Sequence, residues 1–295
     1  GQDQVSTTDP DARSMILHGS VIEVAYNVQT VADSANKLVL EYEVTNQNDR
    51  KALLPMAQKT KSICDTEAVA VLADKGYHNG EQLAACQRED IYTYVAYQEV
   101  PRSNPVPTPE FYGERFRYNP KKDQYVCPQG HILKTTGQWY NKKYEKSVTR
   151  VKHYKTTACN NCEVRHLCTR NPNGRVIERS VHAEAVERNN RRVRENSSVY
   201  TLRQQIIEHI FGTIKRQWGY DHILLKGLRK NEGEFGLIYL IYNFRRVINI
   251  LGLPKLKKWL RKLLFSIFTD RALRNCWQQL NYPGCRFGPI NAQVA

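Results

Sequence analysis

Residues 20–30, SVIEVAYNVQT, and 38–45, LVLEYEVT, are rich in Val, Leu, Ile and Tyr and alternate in part with polar positions, the pattern of half-buried strands. A short polar stretch holding Asn36 and Lys37 separates them, so two neighbouring antiparallel strands are expected. KALLPMAQKTK (51–61) predicts a short helix. AVAVLAD (68–74) is a run of small and β-branched apolar residues and suits a central strand covered on both faces. GEQLAACQRE (80–89) predicts a helix and IYTYVAY (91–97) a further strand. Strands interleaved with helices argue for an α/β sandwich.

PRSNPVPTPE (101–110), with four prolines, interrupts this pattern and marks a boundary or a long exposed connection. From Phe111 to about Glu178 there is no clean periodicity, only Tyr, Lys, Cys and short strand-like pieces such as GRVIERS. Helical spacing returns in HAEAVERNNRRVREN (182–196), SVYTLRQQIIEHIFGTIKRQWG (198–219) and EGEFGLIYLIYNFRRVINILG (232–252). After Pro254, KLKKWLRKLLFSIF reads as a basic amphipathic helix. Its Leu and Phe face is expected to pack on the body and its Lys and Arg to meet DNA, with a membrane surface as the alternative. The chain thus divides into 1–100, a Cys-rich stretch 101–180, a helical stretch 181–252 and a basic tail 253–295.

The chain has 295 residues, 41% hydrophobic and 25% charged, a globular balance that excludes wholesale disorder and fibres. No apolar run approaches the ~18–20 residues that span a bilayer, and no signal segment opens the sequence. A soluble, unsecreted protein without membrane partners is expected. Charge then changes the picture. The total is +15, but residues 1–100 carry net −7, 101–200 net +11 and 201–295 net +11. The simplest partner for the two basic thirds is a phosphate backbone, since each Lys or Arg on a phosphate releases a counterion. A generally basic solvated surface is the alternative. The acidic third would repel that backbone unless its carboxylates do something else, such as hold divalent metal.

Three constellations could carry chemistry. Asp74, in LADKGY, falls at the carboxyl end of the expected central strand, where open α/β sheets place ligands, with Gly76 allowing a sharp turn. Taken alone, an Asp there equally suits a turn or helix cap. In the 198–219 helix Glu208 and Lys215 lie seven residues apart and share a face, which is also what an ordinary solvated charge pair does. Cys127 in CPQGH, and Cys159, Cys162 and Cys168 in C-x2-C-x5-C, have the spacing of a structural tetrahedral Zn²⁺ site, with His131 or His166 as substitutes for one thiolate. Cys64, Cys86, Cys276 and Cys285 show no ligand spacing.

DPDAR (9–13), AYNVQTVAD (25–33), LADKGY (72–77), the CPxG and C-x2-C-x5-C cysteines and R-x4-E-H-x-F-G-x-I-K (203–215), in that order, resemble the DDE transposases of bacterial insertion sequences, a group with a cysteine-rich insert. The resemblance implies an RNase H-like mixed sheet flanked by helices, in which two aspartates and a glutamate hold two Mg²⁺ (or Mn²⁺) ions. It places the second aspartate at Asp74 and the glutamate at Glu208. It also implies DNA contacts from Tyr200, Arg203 and Lys215, with Arg216 beside them. One residue more separates Arg203 from Glu208 than in the wider superfamily pattern. The first aspartate belongs to an Asp-Gly-Thr segment that this sequence does not contain, and with Gly1 leading it is expected upstream together with an N-terminal DNA-binding region. Asp9, Asp11 and Asp33 are nearby carboxylates in no matching context.

The implied reaction is phosphoryl transfer on double-stranded DNA, at transposon ends and target, by two metal ions about 3.5–4 Å apart. A dimer in the DNA complex and a bacterial cytoplasmic, nucleoid-associated location complete the expectation. The competing readings are a catalytically inactive, zinc-stabilised DNA-binding remnant, which the missing aspartate favours for this chain, and a related nuclease without strand transfer.

Overall fold

A computed structural model describes residues 6–16, 22–97, 106–144, 147–269 and 291–294. Along the chain these form β1 (Arg13–Ile16), β2 (Ile22–Ala25), β3 (Asn27–Asp33), β4 (Val39–Thr45), α1 (Leu53–Cys64), β5 (Val69–Ala73), α2 (Gly80–Arg88) and β6 (Ile91–Val95). Next come β7 (Arg117–Asn119), β8 (Gln124–Val126), β9 (Ile132–Lys134), β10 (Tyr140–Tyr144), β11 (Ser147–Tyr154), α3 (Arg165–Cys168), β12 (Ile177–Ser180) and α4 (Ala183–Glu195). The remaining elements are α5 (Ser197–Phe211), α6 (Leu228–Leu251), α7 (Leu253–Thr269) and β13 (Asn291–Val294). Two compact units result, residues 1–97 with 188–295, and residues 98–187.

The first unit is built on a mixed five-stranded sheet of order β4-β3-β13-β5-β6. β3 and β4 are antiparallel, with a bulge beside Val31, and β5 and β6 are parallel. Between them lies β13, antiparallel to Val31–Asp33 and parallel to Ala70–Leu72. The expected single strand over 20–30 is broken. Within the described part β2 ends at Ala25 and pairs with β1 in a separate hairpin, and only from Asn27 does the chain join the main sheet. The break falls at Tyr26, whose hydroxyl donates to Asp9 Oδ1 at 2.8 Å.

Helices cover both faces of the sheet. α1 packs on β3, β4 and β5 through Leu53, Met56 and Ala57, all fully buried. α5 packs on β3 and β5, and α6 on β4. There Ala32 and Val39 of the sheet meet Ile206, Ile207, Ile210, Tyr239 and Tyr242. This explains the apolar periods of the sequence: β3 buries Val28, Thr30 and Ala32 toward α5 and α6, while Asn27, Gln29 and Val31 alternate to the other side. Thr30 Oγ1 and Tyr239 OH share a buried hydrogen bond of 2.7 Å. The open edge at β6 is sealed by polar side chains of α4. The buried Asn189 accepts from Val95 N–H at 2.9 Å and donates to Val95 C=O at 2.8 Å, and Arg192 donates to Thr93 C=O.

The second unit holds two three-stranded antiparallel sheets, β7-β8-β9 and β10-β11-β12. Its core gathers Val106, Phe111, Phe116, Tyr125, Leu133, Tyr154, Cys168 and Ile177.

The basic helix after Pro254 forms as α7, but its apolar face is only partly packed. Leu256 is buried, whereas Trp259, Leu260 and Leu263 are exposed. Among the described residues no helix is long and apolar enough to cross a membrane. Cys276, Cys285 and residues 101–105 of the proline-rich stretch lie outside the described residues.

Candidate functional site

β5 ends at Ala73, and Asp74 begins a single 3-10 turn, Lys75–Tyr77, which its side chain caps by accepting from Lys75 N–H. The carboxylate is exposed. What holds this turn is a polar cluster that local sequence patterns did not single out. Asp49 Oδ1 accepts from Asn27 Nδ2 at 2.6 Å and from Gln29 Nε2 at 2.8 Å. Asp49 Oδ2 lies where a Cβ on Gly76 would come within 2.7 Å of it, so the glycine is required for close approach, not for a left-handed backbone. Tyr77, 1% exposed, donates its hydroxyl to Gln29 Oε1. The only hint in the sequence was the i, i+2 spacing of Asn27 and Gln29, which puts both amides on one side of a strand.

Tyr77 also ties this turn to α5. Burial pushes its phenol well above the usual range, the Asp49 and Asp74 carboxylates push it further, and the Arg203 guanidinium pulls the other way. Arg203 and Asp74 therefore act on one buried ring. Arg203 Nε is itself buried without a hydrogen-bond partner among the described residues, and its guanidinium stands 5.6 Å from the Tyr200 ring.

Glu208 is exposed on α5, flanked by the buried Ile206, Ile207 and Ile210. Beyond it the expected continuous helix changes character: Gly212–Gln217 is a π-helical turn, in which Trp218 N–H reaches back to Thr213 C=O. A face shared by Glu208 and Lys215 presupposes 3.6 residues per turn, and the wider π turn displaces Lys215 from it. Lys215 and Arg216 are exposed, with Lys215 Nζ 5.4 Å from the Phe211 ring. His209, next to Glu208, accepts or donates at Nδ1 to Tyr242 OH at 2.9 Å. Its pKa is lowered by burial, then by Arg246 and Lys37.

The three unassigned carboxylates have structural work. Asp9 Oδ2 accepts from Gly227 N–H at 3.2 Å and Asp11 Oδ2 from Leu228 N–H at 3.0 Å, so DPDAR supplies the cap that α6 lacks in its own Gly227. Burial pushes Asp9 up, but the bonds from Tyr26, Gly227, Asp11 and Ala12 outweigh it and hold the carboxyl below its usual range. Asp33 closes the β3–β4 turn by accepting from Ala35, Asn36 and Leu38 N–H.

In the second unit Cys127, Cys159, Cys162 and Cys168 line one cavity with His131 and Arg175. Cys127 N–H donates to His131 C=O and Gly130 N–H to Cys127 C=O, both at 2.9 Å, around a left-handed Gly130. A Cβ on Gly174, itself left-handed, would meet Cys159 Cβ at 2.7 Å. Burial pushes the Cys168 thiol up to about 11, Arg175 opposes, and the other three cysteines add to the rise. His166 is exposed, its ring against Glu163 C=O. The expected ligand closure is not seen. Among the described residues no three His, Cys, Asp or Glu side chains converge to hold a metal ion, at the cysteines or at the carboxylates. A buried neutral thiol such as Cys168 has no electrostatic reason to draw its neighbours in.

Residues 126–248 match the family described as the transposase DDE domain, a stretch that includes the four cysteines and Glu208. No curated protein and no solved structure matches the chain. That match spans the R-x4-E-H-x-F-G-x-I-K helix and supports a DDE transposase.

Proposed function

We propose that the chain is the core of a DNA transposase that cleaves and transfers strands at insertion-sequence ends, with Asp74 and Glu208 as two of its three metal-binding carboxylates. The observation that carries this reading is the buried Tyr77 phenol, which the Asp74 carboxylate and the Arg203 guanidinium of the matched helix motif both act upon. The mixed sheet, with its antiparallel β3–β4 and parallel β5–β6 pairs, supports an RNase H-like core.

The donor chemistry fits Mg²⁺ or Mn²⁺: both carboxylates are exposed hard oxygen donors, and among the described residues neither is engaged in an ion pair. When bound, such ions supply Lewis-acid activation of water and of the 3′-hydroxyl and stabilise the leaving oxygen. Asp49, Gln29 and Gly76 fix the direction in which Asp74 presents its oxygens. Tyr200, Arg203, Lys215 and Arg216 grip phosphates of double-stranded transposon-end and target DNA, in a dimeric complex. Four thiols around one cavity are the donor set of a structural Zn²⁺, whose binding would release their protons and draw the sulfurs together.

In a cleavage-competent form, Asp74→Asn and Glu208→Gln abolish Mg²⁺-dependent cleavage of a transposon-end duplex and leave DNA binding intact. Cleavage at full rate in either variant overturns the assignment. The engagement of Asp9, Asp11 and Asp33 in caps and turns favours a second reading for residues 1–295 alone, DNA binding without catalysis. Robust Mg²⁺-dependent nicking by this chain rules that out.

A further inference from the structure

The geometry points to a single-stranded DNA contact on one face of the β10–β11 hairpin in the cysteine-bearing unit, centred on Trp139. Residues 134–155 hold seven basic side chains and one acidic. Strand alternation sorts the hairpin into two unlike faces. On one, Tyr140 stacks on His153, ring centroids 4.7 Å apart and 11° from parallel, and Lys142 pairs with Glu178. On that face the ring and the cation each have a partner within the sheet.

The other face carries Asn141 opposite Arg150 and Lys143 opposite Val148, with Lys152 opposite Arg179. Lys152 is neutralised by Asp123 at 2.7 Å and Arg179 by Glu187. Lys143 and Arg150 are exposed and, among the described residues, in no ion pair. Beside them Trp139 keeps 39% of its surface in solvent, with Arg150 Cζ 5.3 Å and Lys152 Nζ 5.0 Å from its ring. The flanking cations hold the indole upright by cation–π attraction.

An open indole beside the unpaired Arg150, with Lys143 on the same face, fits one ligand chemistry best: a polyanion that also offers flat rings. Bases stack on exposed aromatic side chains while the cations take the phosphates. A duplex presents only its phosphates to such a surface, because its bases are paired inside. The occupant is therefore an unpaired DNA stretch, such as strand separation at a cleaved end would expose. This surface needs neither Asp74, Glu208 nor a bound metal, so it stands or falls separately from the catalytic reading.

The test uses the full chain in EDTA, measuring fluorescence anisotropy of a labelled 20-nucleotide oligo-dT, a duplex of the same length and an oligo-rU, over a range of salt. Trp139→Ala is expected to weaken oligo-dT binding about tenfold and to leave duplex binding within about twofold. Trp139→Phe, which keeps an aromatic face, retains most of the affinity. Arg150→Ala weakens both DNAs and reduces the slope of log K against log salt by about one. Thermal melts matching the wild type show that each variant folds, and the Phe variant serves even if the Ala variant does not. Unchanged oligo-dT affinity in Trp139→Ala, or in an unfolded-Ala case equal loss in Trp139→Phe, overturns the proposal, as does tighter binding of oligo-rU than of oligo-dT.

Discussion

Two aspartates, each beside buried tyrosines, behave in opposite ways. In the cysteine-bearing unit Asp123 is saturated: Tyr118 and Tyr154 donate to its Oδ1 at 2.8 and 2.6 Å, and Lys152 to its Oδ2 at 2.7 Å. Those bonds hold its carboxyl down to about 2. In the sheet-bearing unit Asp74 accepts from its own neighbour, Lys75 N–H, and stands exposed, while Tyr77 turns its hydroxyl to Gln29 instead. Asp49 takes the anchoring role that Asp123 fills alone in the other unit. A carboxylate whose two oxygens both accept from side-chain donors stabilises a fold. One that is positioned by others and left open is free to bind a cation, and this difference, rather than burial, separates the two.

Breaking Asp74 should have the largest effect. On the proposed assignment, Asp74→Asn in a cleavage-competent form costs several kcal/mol in the transition state, roughly a thousandfold in rate, with little change in melting temperature. Strand-cleavage kinetics and a thermal melt of the same sample check both halves. Asp123→Ala should do the reverse, lowering stability by about 2 kcal/mol in urea titrations because charge-assisted bonds are lost, without touching phosphoryl transfer directly.

The pH dependence sharpens the contrast. Asp123 has a folded pKa of about 2 against an ordinary value of 3.8, so its contribution is fully present above the unfolded value. That stability is lost as pH falls through about 4 toward 2. Melting temperatures between about pH 5 and 2 should fall less steeply in Asp123→Asn than in the wild type. Gly76→Ala comes next: its Cβ meets Asp49 Oδ2 and displaces the Asp74 turn, so cleavage should drop about tenfold, equivalent to about 1.4 kcal/mol. Gly212→Ala is the smallest, since nothing lies within 4 Å of a Cβ there and the backbone is helical at φ −63°. It should stabilise by up to about 1 kcal/mol in the same titration.

Much of the local structure could be read in advance. The helix over 80–88 starts at Asn79, whose side chain accepts from Glu81 and Gln82 N–H, an ordinary capping signal. The Val69–Ala73 strand needed no more than its apolar run, and Asp74 at its end followed. The break at Tyr26 could not be read, because it depends on Asp9, 17 residues away. Nor could the π turn after Phe211, since nothing in the composition of Gly212–Gln217 separates i→i+5 from i→i+4 bonding. Asp49 was passed over because nothing in its own neighbourhood marks it. Its meaning comes from Asn27, Gln29 and Gly76, which only folding brings to it.

By itself the sequence determined where apolar periods change, which stretches are basic, and which carboxylates and thiols sit at the ends of elements, all properties of neighbours within a turn or two. Tertiary structure alone decided that Asp9 and Asp11 cap α6, that β13 lies between β3 and β5, and that α5 packs on β5, which Asp74 follows. The reason is range. Periodicity is set by bonds along the chain, whereas a carboxylate's role is set by which donors reach it through space, and those donors come from residues up to 218 positions away.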